Sequence, residues 1–269
     1  MLAARVKGLS LTINLALEQL NDAATLIGGW CHLADSLSAE IVANLDVDYV
    51  VVDLQHGAAS QSNLMPMLQA ITAASKTPMV RIPYRDLGTA QRALDAGAEG
   101  LIIPMVNTLE DANDVVASVR YPPLGSRSYG PLRSQMLLGR DPEEVNRQVI
   151  CLVQIETAEA MKNIDDILEV EGIDGVYVGP ADLSLSHGFQ LGENTEQLNE
   201  MLLKVSNSCE RADRIPGIHC FSGESALEAQ AMGYRLTSVG SDAVWLREEY
   251  SNQLMVVREK GRASGGGYY

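Results

Sequence analysis

An aspartate and a histidine three residues apart follow an apolar run in the first fifth of the chain. Residues 49–52 and Leu54 are rich in β-branched side chains and predict a buried strand of a parallel sheet. Asp53 and His56 would then lie at the carboxyl end of that strand, where barrels and doubly wound sheets place their chemistry. An imidazole oriented by a carboxylate can transfer protons in catalysis. A simpler interpretation is also open, in which Asp53 caps the next helix and His56 is an ordinary loop residue.

Three other apolar runs also end in polar side chains. Arg81 lies in the run 78–83, Gln154 and Glu156 end the run 149–156, and Asp182 follows the run 175–179 in a Gly-Pro turn. If these runs are parallel strands of one barrel, one imidazole, one guanidinium and three carboxylates share one rim. Because five such groups seldom converge by chance, the set indicates a functional site.

The residue types on this rim favour chemistry on a 2-oxo acid. Glu156 and Asp182 form an oxygen-only pair suited to Mg²⁺ or Mn²⁺. The turn from Gly179 to Asp182 offers backbone N–H groups to a carboxylate. The metal and Arg81 would stabilise the enolate that forms when a carbon–carbon bond breaks. His56, oriented by Asp53, would transfer the proton, directly or through a metal-bound water.

Several other mechanisms lack the residues they need. A Schiff-base aldolase needs a lysine at a strand end, and pyridoxal phosphate needs a lysine as its anchor, but no lysine ends an apolar run. The five lysines are Lys7, Lys76, Lys162, Lys204 and Lys260. No GxSxG, GxGxxG or GxxxxGK[ST] motif occurs, so neither a serine nucleophile nor nucleotide binding is supported. His219 is expected to pack in the core, and His32 and His187 receive no role.

The spacing of apolar runs predicts the fold. Eight runs alternate with amphipathic segments and helix-ending glycines, which indicates a (β/α)8 TIM barrel of the α/β class, with an open doubly wound sheet as the alternative. The predicted strands are 27–33, 49–55, 78–82, 100–106, 150–155, 175–179, 217–221 and 236–240. The predicted helices are 38–45, 61–74, 89–96, 109–119, 158–170, 196–212 and 223–232. We expect an N-terminal helical segment over 1–25, one barrel domain over 26–260 and a disordered tail over 261–269.

Composition limits the partners. The net charge of −15 repels phosphate backbones, so nucleic acid and anionic membranes are not expected to bind. No run of 18 apolar residues could span a bilayer. The four cysteines show no CxxC pair and read as reduced, buried residues of a cytoplasmic protein.

The segment 120–140 is too long for an ordinary connection between elements and is rich in proline, glycine and arginine. Such a loop at the mouth of a barrel is often a lid or a substrate contact. Its arginines could equally pair with surface acids.

Seven motifs together resemble the HpcH/HpaI aldolases, the metal-dependent class II pyruvate aldolases. The motifs are Gly29-Trp30, Asp53-Leu-Gln-His56, Pro78-Met-Val-Arg81, Pro104-Met-Val106, Tyr121-Pro-Pro-Leu-Gly-Ser-Arg127, Gln154-Ile-Glu156 and Gly179-Pro-Ala-Asp-Leu-Ser184. The resemblance covers residues 26–245. It implies a hexamer built as a trimer of dimers, with the eighth helix, at the C-terminus, exchanged between subunits.

The resemblance also assigns roles to residues. Glu156 and Asp182 would bind Mg²⁺, Mn²⁺ or Co²⁺, Arg81 would stabilise the enolate, and His56 with Asp53 would be the acid–base pair. Asp95 would reach a neighbouring subunit's site. The implied substrate contacts are Trp30, Arg81, Gln154, Gly179, Ala181 and Asp182. The chain departs from the family at Gln55, where glutamate is common.

The resulting expectation is reversible aldol cleavage of a 4-hydroxy-2-oxo acid into pyruvate, or a similar 2-oxo acid, and an aldehyde through a metal-stabilised enolate. Two alternatives stay open. One is a citryl- or malyl-CoA type of carbon–carbon lyase, for which the acidic composition offers no basic groove. The other is a non-catalytic barrel that binds a 2-oxo acid.

Overall fold

Eight parallel strands close into a barrel in the computed structural model, which describes residues 14–192 and 195–264. Each strand pairs with the next along the chain, and β8 pairs with β1 to close the ring. The strands are β1 (Leu26–Cys31), β2 (Tyr49–Asp53), β3 (Thr77–Arg81), β4 (Gly100–Ile103), β5 (Ile150–Ile155), β6 (Gly175–Val178), β7 (Ile215–Ile218) and β8 (Leu236–Ser238). The predicted (β/α)8 TIM barrel is therefore confirmed, and the open sheet is excluded.

Each predicted strand is present, but several end earlier than their apolar runs suggest. β4 stops at Ile103 because Pro104 has no N–H to donate to the ladder. β7 begins two residues earlier and ends three residues earlier than predicted, and it includes Pro216. Asp53 and Arg81 therefore end their strands, whereas Glu156 is the first residue after β5.

Thirteen helices lie in the described ranges. They are α1 (Leu15–Asn21), α2 (Ser36–Ala43), α3 (Gln61–Ala73), α4 (Leu87–Asp95), α5 (Leu109–Val119), α6 (Ser134–Leu137), α7 (Pro142–Gln148), α8 (Ala158–Lys162), α9 (Ile164–Leu168), α10 (Pro180–Ser186), α11 (Thr195–Arg211), α12 (Gly223–Ala231) and α13 (Asp242–Ser264). The helix predicted over 109–119 has the same bounds as α5, and Thr108 and Asp111 form its capping box. The helix predicted over 158–170 is instead two short helices, α8 and α9, because the helical conformation is interrupted at Asn163.

Arginines of the long segment 120–140 bind it to neighbouring parts of the barrel. Arg120 is buried and donates to the carbonyl oxygens of Gly172 and Val149 and to the Asp174 carboxylate. Arg127 pairs with Asp95 at 2.7 Å. For Arg120 and Arg127, these contacts favour the ion-pair interpretation over substrate contact.

Side chains from the strands fill two layers. The barrel interior holds large residues such as Trp30, Tyr49 and Tyr177, while the other face of the strands packs against the helices. Gly28 makes room for Tyr49, because a Cβ at Gly28 would lie 2.3 Å from the tyrosine ring. A glycine inside β1 therefore serves packing.

The N-terminal helix covers the amino end of the barrel. Ala16 and Leu20 of α1 are buried with the barrel interior, and Asn14 donates to the backbone oxygens of Glu99 and Gln148 at 2.9 and 2.7 Å. The expected N-terminal helical segment thus contains α1, and residues 1–13 lie outside the described residues. With this end covered, the open end of the barrel is the carboxyl rim.

The last helix runs to Ser264 and carries exposed apolar residues between Trp245 and Val257. The predicted tail begins at 261, inside this helix, and residues 265–269 lie outside the described residues. None of the helices in the described ranges has the length and hydropathy needed to cross a membrane.

Candidate active site

Asp53 and Arg81 face each other at the carboxyl rim. Asp53 is the last residue of β2 and Arg81 is the last residue of β3. The two residues lie opposite each other in the register of these strands. Arg81 Nε donates to Asp53 Oδ1 at 2.9 Å and Arg81 Nη2 donates to Oδ2 at 2.6 Å. Because both side chains are buried, this bidentate ion pair fixes the guanidinium in one orientation.

The imidazole that binds the Asp53 carboxylate belongs to His32. His32 follows β1, and its Nε2 lies 3.0 Å from Asp53 Oδ2. The Trp30 indole N–H also donates to this oxygen, at 3.3 Å. His32 received no role from the sequence, although it too follows an apolar strand.

The expected contact between Asp53 and the His56 ring is not formed. Only the backbone N–H of His56 donates to Asp53, at 3.3 Å to Oδ1, and the His56 residue is exposed. Within the ranges 14–192 and 195–264 the His56 ring has no hydrogen-bond partner. The physical reason is that Arg81, His32 and Trp30 already bind the carboxylate. The acid–base role of His56 stays a prediction.

The Asp53 carboxylate is ionised. Burial alone would raise the pKa of Asp53, but the hydrogen bonds from His32 and Arg81 and the Arg81 charge hold that pKa well below its usual range. Asp53 is therefore a hydrogen-bond acceptor only, which requires His32 Nε2 to carry its proton.

Trp30 lies below the guanidinium, in the barrel interior. The Arg81 Cζ atom is 5.0 Å from the centre of the Trp30 ring, a cation–π distance. His219 packs edge-on against the same ring at 4.6 Å. Burial lowers the pKa of His219 to about 3, so this imidazole is neutral. The packing role expected for His219 agrees with these contacts.

Glu156 lies across the rim, immediately after β5. Its Oε1 accepts from the Met105 N–H at 2.7 Å, and its Oε2 accepts from Gln154 Nε2 at 2.6 Å. Met105 has φ = 60°, a left-handed conformation that is strained for a residue with a side chain. The Met105 contact could not be predicted from the sequence, because it depends on the course of the loop after β4.

A positive charge near Glu156 would stabilise its ionised carboxylate. Burial raises the pKa of Glu156 to about 7, the Met105 N–H opposes this shift, and the nearby Asp182 carboxylate adds to it. Asp182 is exposed in the first turn of α10. A cation between the two carboxylates would favour their ionised forms.

Gly179 leaves space beside these groups. A Cβ at Gly179 would lie 2.7 Å from Gln154 Nε2 and 3.1 Å from Glu156 Oε2. Gln154 Oε1 is buried and has no hydrogen-bond partner among the described residues. Ala181 follows in the first turn of α10, where backbone N–H groups have no partner within the helix.

These observations fit a divalent cation held by two carboxylates. No group of three or more His, Cys, Asp and Glu side chains that could hold a metal occurs in the described part of the chain. A site built on Glu156 and Asp182 alone would take its remaining ligands from substrate oxygens and water, as Mg²⁺ commonly does. The oxygen donors and the space at Gly179 suit such a site.

Asp95 lies apart from these groups in its own chain. It ends α4 in the helical layer, where its carboxylate accepts from Arg127 and keeps 45% of its side-chain surface exposed. The role expected for Asp95 concerns a neighbouring subunit and stays a prediction.

The chain is similar to known proteins in both sequence and structure. The model of the HpcH/HpaI aldolase/citrate lyase family matches residues 26–247. The chain is 38% identical over 230 residues to a hydroxypyruvate/pyruvate aldolase of Rhizorhabdus wittichii, which covers 84% of this chain and 91% of that protein. It is 37% identical over 224 residues to a 4-hydroxy-2-oxo-heptane-1,7-dioate aldolase of Salmonella arizonae, covering 82% and 85%. A crystal structure of an HpcH/HpaI aldolase/citrate lyase family protein from Burkholderia cenocepacia superposes with a TM-score of 0.84 at 31% identity, covering 91% of this chain and 99% of that one.

Proposed function

The chain belongs to the HpcH/HpaI aldolase/citrate lyase family, and from this premise we propose that it cleaves 4-hydroxy-2-oxo acids reversibly into pyruvate, or a similar 2-oxo acid, and an aldehyde. Relatives named as hydroxypyruvate/pyruvate and 4-hydroxy-2-oxo-heptane-1,7-dioate aldolases support this class of carbon–carbon lyase. The observation that carries the proposal is the arrangement of Arg81, Glu156 and Asp182 on one rim.

The family uses a divalent metal, and Glu156 and Asp182 are the residues that would hold it here. When bound, a cation such as Mg²⁺, Mn²⁺ or Co²⁺ supplies Lewis acidity toward the oxygens of the 2-oxo acid. The Met105 N–H and the Gln154 amide orient the Glu156 carboxylate through one hydrogen bond to each of its oxygens. Outer hydrogen bonds of this kind fix the geometry of a ligating carboxylate.

Arg81 would receive the charge that develops as the C3–C4 bond breaks. The electrons of that bond move toward the C2 oxygen and form an enolate. Nε and Nη2 of Arg81 are bound to Asp53, which leaves the Nη1 group for this oxygen. A fixed donor aimed at a developing oxyanion lowers the barrier without reorganisation during the reaction.

The C4 hydroxyl must lose a proton during cleavage. We assign this step to His56, whose exposed ring is available to substrate. Asp95 of a neighbouring subunit would orient the ring, since Asp53 does not and the Asp95 carboxylate is nearly half exposed. This assignment makes the site complete only in an oligomer.

The 2-oxo acid carboxylate would bind beside Gly179. The N–H groups of Ala181 and Asp182, the buried Gln154 Oε1 and the space that a Cβ at Gly179 would fill support this position. Trp30 would position Asp53 and Arg81, because its indole N–H donates to Asp53 and its ring lies against the Arg81 guanidinium.

The assembly we propose is a homohexamer, a trimer of dimers in which α13 is exchanged. In a single chain, α13 exposes large apolar side chains, among them Tyr250, Leu254 and Val257. A largely apolar cavity of about 500 Å³ lies between α2 and the start of α13, lined by Leu37, Ile41 and Trp245. Contiguous exposed apolar surface of this kind marks an interface. The four free, buried cysteines support a cytoplasmic location.

A chelator experiment tests the proposed reaction. Purified protein is incubated with 4-hydroxy-2-oxo acids that differ in the aldehyde half, and pyruvate release is measured with and without metal stripping. We expect release that a chelator abolishes and Mg²⁺, Mn²⁺ or Co²⁺ restores, and we expect Glu156→Ala to lose it. Release that survives complete metal removal would sink the metal–enolate mechanism. Cleavage of acyl-CoA substrates alone would favour the CoA-type lyase, and binding without turnover would favour a non-catalytic barrel.

A further inference from the structure

His32 shares one carboxylate oxygen with Arg81. Asp53 Oδ2 lies 3.0 Å from His32 Nε2 and 2.6 Å from Arg81 Nη2. The imidazole and the guanidinium are therefore bound to the same atom and lie on the same side of the rim. If Arg81 holds the enolate oxygen, as in the proposed function on which this inference rests, His32 is adjacent to the pyruvate half of the substrate.

The backbone of His32 is fixed as firmly as its side chain. Its N–H donates to Asp242 Oδ1 at 2.8 Å, and its carbonyl oxygen accepts from the Ala58 N–H at 2.7 Å. With the contact to Asp53, the residue is held at three points, two at the end of β2 and in the loop after it and one at the start of α13. A side chain held this way has the preorganisation that a catalytic group requires.

One ring nitrogen of His32 is left for substrate. Nε2 carries a proton and donates it to Asp53, so Nδ1 has a free lone pair in the neutral ring. Nδ1 has no hydrogen-bond partner within residues 14–192 and 195–264, and 27% of the side-chain surface is exposed. A carboxylate on one imidazole nitrogen with the other nitrogen free is the arrangement of a general acid–base pair.

The reaction needs two proton transfers, and the role assigned to His56 covers only one of them. Cleavage removes a proton from the C4 hydroxyl, and release of pyruvate adds a proton to C3 of the enolate. We propose that His32 is the catalytic residue that transfers the proton at C3. In the direction of cleavage, His32 first takes a proton from water at Nδ1. The imidazolium then gives this proton to C3, the enolate electron pair forms the C3–H bond, and the C2 carbonyl is restored as the imidazole becomes neutral. In the direction of synthesis, Nδ1 removes this proton from pyruvate.

Hydrogen exchange at C3 isolates this step from aldol chemistry. The metal-loaded enzyme is incubated with pyruvate in D₂O, without aldehyde, and loss of the methyl proton signal is followed by NMR. The variant His32→Gln keeps an amide N–H where Nε2 lies and can still donate to Asp53, but it has no basic nitrogen. His56→Gln is the matched variant at the other histidine. His32→Ala removes both the base and the contact.

We expect His32→Gln to slow C3 exchange by about 100-fold or more, the usual range for loss of an acid–base group. His56→Gln is expected to exchange at close to the wild-type rate while it loses cleavage of the 4-hydroxy-2-oxo acid. Exchange by His32→Gln at the wild-type rate would overturn the proposal. The proposal would also be overturned if His32→Gln catalysed C3 exchange and His32→Ala did not, because His32 would then only position Asp53.

The outcome is separable from that of the proposed function. If the wild-type enzyme releases no pyruvate from any 4-hydroxy-2-oxo acid, the proposed function fails before His32 is tested. If wild-type cleavage is normal and C3 exchange is lost in His56→Gln but kept in His32→Gln, only the role of His32 fails.

Discussion

Gly179 approaches Glu156 so closely that a single methyl group on the glycine would lie 3.1 Å from Glu156 Oε2. The same methyl group would lie 2.7 Å from Gln154 Nε2, inside the distance at which one of the atoms must move. The Gln154 amide would be displaced from the carboxylate that it orients. The absence of a side chain at Gly179 is therefore part of the site.

The variant Gly179→Ala is expected to lose most of its activity while it stays folded. The backbone at Gly179 has φ = −97°, which alanine adopts without strain, so the effect arises from the displaced Gln154. We expect about a 10- to 100-fold fall in kcat/KM, in the range seen when groups that orient metal ligands are disturbed. Gly130→Ala is the control, since a Cβ there meets nothing within 4 Å. Equal activity of the two variants would contradict the prediction.

Replacement of Arg81 by lysine tests the bidentate pair with Asp53. An ammonium group donates from a single nitrogen, so it lacks the planar fork that binds both carboxylate oxygens side by side and aims a separate N–H group at the enolate oxygen. We expect kcat to fall by about 100- to 1,000-fold, as when an oxyanion donor is removed. The control Arg147→Lys alters an exposed ion pair with Glu143 and should leave kcat unchanged. A value of kcat near wild type in Arg81→Lys would exclude the assigned role.

The buried carboxyl group of Glu99 should make stability depend on pH. Burial raises the pKa of Glu99 from its ordinary value of 4.5 to about 7, and Arg133 opposes the shift. Below pH 4.5 the folded and unfolded states both hold this proton. As the pH rises from 4.5 to 7, the unfolded state releases the proton first, so the free energy of unfolding decreases. Above pH 7 the decrease is complete, and the free energy of unfolding is about 3 kcal/mol lower than below pH 4.5.

Thermal unfolding of Glu99→Gln at pH 5 and pH 8.5 measures this effect. The variant should be more stable than the wild type at pH 8.5, and the difference should shrink at pH 5. The exposed Glu143→Gln serves as the comparison, because its carboxylate is three-quarters accessible. Parallel pH profiles for the wild type and Glu99→Gln would show that Glu99 does not titrate differently in the two states.

The exposed apolar face of α13 should be needed for assembly. Leu254 and Val257 are one turn apart and both more than half exposed, so Leu254→Glu combined with Val257→Glu places two charges on this face. We expect the double variant to form smaller species than the wild type in light scattering after size exclusion. Asn252→Glu adds a charge on the opposite face and should keep the wild-type mass. An unchanged mass in the double variant would argue against burial of this face between subunits.

The barrel could be predicted from the sequence because its strands are continuous apolar runs. Alternation with helices and glycines such as Gly97 and Gly233 then leaves few other topologies. The short helices α6 and α7 were not predicted within and after the long segment 120–140. Asp141 and Pro142 are an ordinary helix start, but the helix is too short for a clear apolar period.

The site could be predicted in part for a related reason. Strand ends are readable in the sequence, which is why Asp53, Arg81 and Glu156 were identified. The choice of partner at the rim depends on side-chain orientation, and the sequence does not contain it. Asp53 lies within reach of two histidines, and the one nearer in sequence is not the one whose ring it binds.

Asp242, the first residue of α13, binds the segment that follows β1. Its carboxylate accepts from the His32 N–H at 2.8 Å, from the Leu33 N–H at 3.3 Å and from the Ser38 hydroxyl at 2.8 Å. A recombinant form shortened at the C-terminus should therefore retain Asp242 even if most of the last helix is deleted. A purification tag placed after Ser264 leaves these three donors satisfied, whereas a chain cut before Asp242 leaves them to solvent beside His32.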